Sequence, residues 1–141
     1  MTRDEIVAFF DRWQDAFERR DVATLASLYA ETCIVESPTA GGTVTGSASV
    51  AHVYDAWFRA FPDLMLTDSE LLIDGDRVAR VATTIGTDTG GFMGIPATGK
   101  PFRLPIVFLC TLSGGRITAE RRIYDFTGLL VQVGVLRAKP A

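Results

Sequence analysis

Few residues in this chain carry acid–base chemistry in a setting that could use it, and Asp125 comes first among them. It ends the run from Arg116 to Asp125, which reads as a strand entering a short apolar tail. Strand alternation places Ala119, Arg121, Ile123 and Asp125 on one face, and Thr118, Glu120, Arg122 and Tyr124 on the other. The first face is the less polar and is expected to point inward. A carboxylate among apolar walls has its pKa raised by desolvation and can take a proton as a general base. Arg121, on the same face, could then steady an anionic substrate or product. The competing reading is that Asp125 N-caps a short helix beginning at Phe126. The pattern leaves both open.

Other polar candidates carry less. His52 is the only histidine, and helical spacing puts it with Asp55 and Arg59 on a solvated face. With His52 on that face and no second histidine, neither a Ser/His/Asp triad nor a histidine-rich metal site can be argued from the chain. Ser37 shares an inward face with Cys33 and Val35, and Glu36 points away. Asp63, Asp68, Asp74, Asp76 and Asp88 lie near turns and strand ends, where local hydrogen bonding favours Asp. Cys33 and Cys110 lack metal-ligand spacing and sit in apolar runs as small hydrophobes. No metal site is expected.

Positioning these groups falls to elements that the sequence marks clearly. Thr2 and Glu5 have capping-box spacing, and Ile6, Phe9, Phe10, Trp13 and Phe17 follow at helical intervals. Asp21 caps a second helix carrying Val22, Leu25, Leu28 and Tyr29 on one face. Cys33 to Ser37 is a short strand ended by Pro38, and Gly41, Gly42 and Gly46 make a loop. Ser47 caps a third helix with Val50, Val53, Tyr54, Trp57, Phe58 and Phe61 on one face, stopped by Pro62. The period then changes. Leu64 to Ile73 and Arg77 to Thr87 are strands joined at Asp74-Gly75. Gly86 to Pro101 is a long connection with five glycines and two prolines. Phe102 to Leu112 and Arg116 to Asp125 are strands joined at Gly114-Gly115.

Helices followed by a meander of strands imply an α+β domain, with three N-terminal helices on one face of a curved, mostly antiparallel sheet. At 141 residues, residues 1–141 form a single domain with a core of its own. The strands are apolar on both faces, so a second subunit is expected on the outer one, as a homodimer. The net charge of −3, with scattered Lys and Arg, argues against nucleic-acid binding. No apolar run is long enough to span a membrane, and the N-terminus lacks the pattern of a signal peptide, so a cytoplasmic location is expected.

Trp13, Phe17, Tyr29, Tyr54, Trp57 and Phe61 converge from the helices toward the sheet. Either they pack a core, or they line a concave pocket for an apolar small-molecule ligand. Phe92 and Met93, apolar residues in a Gly-rich loop, either cover the mouth of such a pocket or plug the core edge.

Three stretches carry a resemblance: Ala60-Phe-Pro-Asp-Leu64, Gly91-Phe-Met-Gly-Ile-Pro-Ala-Thr-Gly-Lys100, and Glu120-Arg-Arg-Ile-Tyr-Asp125 with Leu129-Leu130 and Gln132-Val-Gly-Val-Leu136. The chain resembles the SnoaL-like polyketide cyclases, or ester cyclases, of the nuclear transport factor two-like superfamily. The resemblance implies a cone of helices against a curved sheet with an internal pocket. It also implies an aspartate base where Asp125 stands, an intramolecular aldol ring closure, and no cofactor. The cyclases pair their base with a histidine, and none is available on the sheet here. Ketosteroid isomerases of the same fold resemble the chain through Val35-Glu-Ser-Pro38. Ser37 stands at their base and Trp13 at the tyrosine of their oxyanion hole, so their chemistry is not expected. The epoxide hydrolases of the fold need a carboxylate–arginine–carboxylate set, for which Arg103 to Leu109 offers no carboxylate. Two readings remain: a cofactor-independent cyclase or isomerase of polyketide-like or polycyclic molecules, or a non-catalytic binding or dimerisation domain.

Overall fold

In a computed structural model of the chain, the described residues are 1–39 and 42–137. Gly41 lies outside them. Helix α1 (Arg3–Glu18) opens on the expected capping box: Glu5 N–H donates to Thr2 Oγ1 at 3.1 Å and Thr2 N–H to Glu5 Oε2 at 2.7 Å. Its apolar stripe of Ile6, Phe9, Phe10, Trp13 and Phe17 is buried. Helix α2 (Val22–Ser27) is capped by Asp21, whose carboxylate accepts from Thr24 N–H. It is shorter than the spacing suggests. Tyr29 leaves the helix and opens strand β1 (Tyr29–Glu36), because its ring and hydroxyl are needed against the sheet. A three-residue strand, β2 (Thr43–Thr45), follows. Helix α3 (Ser47–Ala60) begins one residue after Gly46, which stands at φ 86° with its N–H on Cys33 O. Gly46 is therefore the cap, and Ser47 supplies no capping bond.

Strands β3 (Met65–Asp74), β4 (Arg77–Thr87), β5 (Pro101–Ser113) and β6 (Arg116–Tyr124) form the expected meander, and helix α4 (Phe126–Gln132) ends it. The six strands lie in one sheet in the order β2-β1-β6-β5-β4-β3. All neighbours are antiparallel except β1 and β6, which run parallel. Among the described residues the class is thus α+β, a six-stranded mixed sheet with four helices. One core fills the space between helices and sheet, and both cysteines are buried in it as free thiols. No helix among the described residues is long and apolar enough to cross a membrane.

One irregularity decides the site. Leu112 pairs with Ile117, but Thr111 pairs with Ala119, so Thr118 is an extra residue in β6. A bulge of one residue reverses which face every later side chain takes. Ile117 points inward before it; Glu120, Arg122 and Tyr124 point inward after it.

Candidate functional site

The bulge corrects the expectation for Asp125 and Arg121. Both face away from the core. Arg121 donates through Nε to Glu36 Oε2 at 2.8 Å across β1 and β6, in solvent. Asp125 is exposed, and its Oδ1 accepts the Gly128 N–H at 2.8 Å. Of the two readings open for Asp125, the geometry is that of the N-cap.

The groups brought inward instead are ionic. Glu120 and Arg122 are 3% and 7% exposed, and Arg122 Nε donates to Glu120 Oε1 at 2.5 Å. Tyr29 donates to Glu120 Oε2 at 2.5 Å, and the Tyr29 and Tyr54 hydroxyls lie 2.6 Å apart. Trp13 Nε1 donates to Tyr54 at 3.2 Å. A carboxylate only accepts, and each phenol has one proton. Tyr29 therefore gives its proton to Glu120, and Tyr54 must give its own to Tyr29. The bonds run one way: Trp13 to Tyr54, Tyr54 to Tyr29, Tyr29 to Glu120. Burial pushes the Tyr29 and Tyr54 hydroxyls well above the ordinary phenol range, with the Glu120 charge adding to the effect. Burial is the largest single effect and lowers the Arg122 pKa, but Glu120, Tyr54 and Tyr29 together outweigh it and hold the guanidinium firmly charged.

The cross-strand register sets a second arginine close by. Arg122 pairs with Phe108, and Phe108 with Arg80, so two guanidiniums flank one ring in a single inward row. Arg80 is 3% exposed and lies over the Trp13 ring at 4.2 Å. It donates to Gln14 Oε1 and to Ser69 Oγ. Arg80 Nη1 and Arg122 Nη2 are buried without a hydrogen-bond partner.

Arg122 lines a cavity between the helices and the sheet. Its walls are chiefly apolar, with Phe17, Trp57, Leu104 and Phe108 among them, and Tyr54, Tyr124 and Thr84 as further polar groups. The space open to the centre of a water molecule is about 50 Å³. At roughly 10–15 Å³ per water, it holds about four waters. Among the aromatics singled out from sequence, Phe17, Tyr54 and Trp57 line this cavity. Trp13, Tyr29 and Phe61 stand behind it in the core. Phe92 packs on Phe61 at 5.3 Å between centroids, and with exposed Met93 and one side of Trp57 lines a separate, more open groove. The Tyr124 hydroxyl lies 3.3 Å from Ser37 Oγ.

Sequence reasoning missed Glu120, Arg122, Tyr124 and Arg80. Arg80 could have been found, since it alternates in phase with Val78 and Ala82 on the inward side of its strand. His52 is exposed, and no cluster of His, Cys, Asp and Glu among the described residues is placed to hold a metal.

A mixed sheet with helices packed on it and a side-chain-lined cavity between them defines an α+β fold. The same fold occurs in known structures. A candidate hydroxylase from Streptomyces galilaeus, AclR, is 25% identical with a TM-score of 0.83, covering 99% of this chain and 87% of that one. IdmH, a candidate polyketide cyclase from Streptomyces antibioticus, is 27% identical with a TM-score of 0.76, covering 91% and 97%. A protein from Catenulispora acidiphila, described as having a ketosteroid isomerase-like fold, is 21% identical with a TM-score of 0.76, covering 94% and 97%. No curated protein matches the chain in sequence. Residues 8–133 match the family model of the SnoaL-like polyketide cyclases, and the chain belongs to that family.

Proposed function

We propose that the chain binds one ring of an apolar, carbonyl-bearing molecule of polyketide type in the Arg122 cavity and promotes its enolisation and ring closure. The observation that carries this reading is Arg122 Nη2, a buried charged donor left without a protein partner beside a chiefly apolar cavity. Such a donor stabilises an oxygen on which negative charge develops, and does so more strongly than in water.

The proton has a route out. An acidic C–H of the ligand loses its proton to the Tyr54 oxygen as Tyr54 passes its own to Tyr29 and Tyr29 passes its own to Glu120. The C–H electrons become the enolate, whose oxygen faces Arg122. The enolate carbon then adds to a second carbonyl of the same molecule. The resulting alkoxide recovers the proton along the same chain, and Glu120 returns to its starting state. In this reading the base is Glu120 acting through two phenols, and Asp125 serves as a helix cap.

The test is solvent exchange or cyclisation of a bound 1,3-dicarbonyl ligand, followed by NMR in deuterated water. Arg122→Gln is expected to slow it by roughly 10²–10³, the usual cost of removing one oxyanion donor. Asp125→Asn is expected to leave the rate unchanged. A rate abolished by Asp125→Asn and indifferent to Arg122→Gln would overturn the assignment. One observation favours the non-catalytic reading: both Glu120 oxygens are already hydrogen-bonded, so no carboxylate faces the cavity free. Ligand binding with no exchange above the solvent background decides for that reading.

A further inference from the structure

The interior is not electrically balanced. Of the buried charged side chains, Arg122 lines the cavity, Glu120 is bonded to Arg122, and Arg80 stands across Phe108 from Arg122, with strand β5 between them. Asp88 is also buried, but it belongs to the loop after β4, where its carboxylate accepts from Gly91 N–H and from the N–H and hydroxyl of Thr98. Glu120 is matched to Arg122. Arg80 bonds only to neutral partners, Gln14 and Ser69; Asp11 and Asp68 line an outer groove with it, but among the described residues no carboxylate forms an ion pair with it. The faces of Trp13, Tyr54 and Phe108 lie against the two guanidiniums at 4.2, 4.8 and 5.6 Å. Such contacts ease the burial of a cation but do not neutralise it. Two guanidiniums against one carboxylate leave one positive charge in the core. An arginine cannot shed that charge as a buried lysine or histidine would.

An unpaired buried charge is costly, and what enters beside it can remove the cost. A neutral ligand leaves the imbalance as it was. An anion cancels it and gives Arg122 Nη2 the acceptor it lacks. Resting on the reading of the cavity as a ligand site, we infer that the preferred ligand is an anion, with a carboxylate or an equally acidic enol attached to a ring. The charge is recognised by Arg122, with the Arg80 charge behind Phe108 adding to the positive field, and the ring is held by Phe17, Trp57 and Leu104.

Benzoate and benzamide test this directly, since they share size and shape and differ in charge. Binding to the intact chain is measured by calorimetry at neutral pH and low salt. Benzoate is expected to bind at least about tenfold more tightly, a difference of about 1.4 kcal/mol. Leu104→Phe, which fills the cavity, is expected to abolish binding of both. Arg80→Met is expected to shrink the benzoate-to-benzamide ratio while leaving benzamide affinity in place. A purely structural role for Arg80 would not move that ratio. Equal affinities in the unaltered chain overturn the charge inference and leave the cavity reading standing. Binding of neither compound overturns the cavity reading, and the charge inference with it. Benzoate binding that survives Leu104→Phe means surface association and also overturns it.

Discussion

At the scale of single residues, the chain of donors from Trp13 to Glu120 makes Tyr29 the most exacting position. Tyr29→Phe would leave Tyr54 without its acceptor and Glu120 Oε2 with only the Cys110 thiol at 3.9 Å. One or two unsatisfied buried groups cost about 1–3 kcal/mol each, which is the expected loss. The substitution also has a pH signature. Unfolded tyrosines titrate near pH 10, whereas burial keeps the Tyr29 proton in place well above that. Beyond pH 10 the unfolded state therefore binds fewer protons than the folded one, and stability falls as pH rises. Each such group adds a slope of about 1.4 kcal/mol per pH unit, and below pH 10 it adds none. Urea midpoints across the alkaline range should show Tyr29→Phe losing one group's share of the slope. Identical slopes would place the Tyr29 hydroxyl in water. That hydroxyl's partner was not legible in the sequence. An ideal hairpin through Gly114-Gly115 puts Arg121 and Asp125 inward, and only the extra residue at Thr118 reverses this. No local feature announces the bulge, and the usual rarity of buried Glu and Arg points away from the true face.

Among the elements, those set by local physics were legible. The capping box of α1, the Asp21 cap, and the turns after Asp74 and after Ser113 stand where the residues suggest. The pairing of β1 with β6 was not, because it joins segments some eighty residues apart and turns chemistry cannot announce it. The 88–100 loop was legible only as a glycine-rich connection carrying Phe92 and Met93. Its organiser is Asp88, which resembled an ordinary turn residue but accepts three hydrogen bonds from across the loop. Gly90 fixes the loop to α3: its N–H donates to Ala60 O, and a Cβ there would lie 1.7 Å from Arg59 O. Asp88→Asn replaces one acceptor oxygen by a donor facing N–H groups. The expected result is a loss of about 1–3 kcal/mol, with faster amide exchange confined to residues 88–100. Exchange that rises evenly over the whole sheet would instead make Asp88 part of the global core.

For the whole molecule, the bulge that turns Glu120 and Arg122 inward also turns Arg121 and Ile123 outward. The register then lays one outward row across five strands: Glu36, Arg121, Leu109, Ala79 and Leu72. Ile34 and Ile123 flank its ionic end and are about half exposed, and Leu72 at the other end is 60% exposed. A two-fold axis sets the same patch against itself, so each contact is made twice. This patch suits that arrangement, since Glu36 and Arg121 of one copy can meet Arg121 and Glu36 of the other between apolar side chains. The residues that line the cavity lie on the opposite side of the sheet, so such a contact does not cover them. The expected species in solution is therefore a homodimer of twice 15.3 kDa. Sedimentation equilibrium checks it. Ile123→Glu, which places four like-charged carboxylates at the centre of the contact when both copies' Glu36 are counted, should give monomers that still bind benzoate. Unaltered chain sedimenting at 15.3 kDa across the micromolar range would show that the outward row faces water alone.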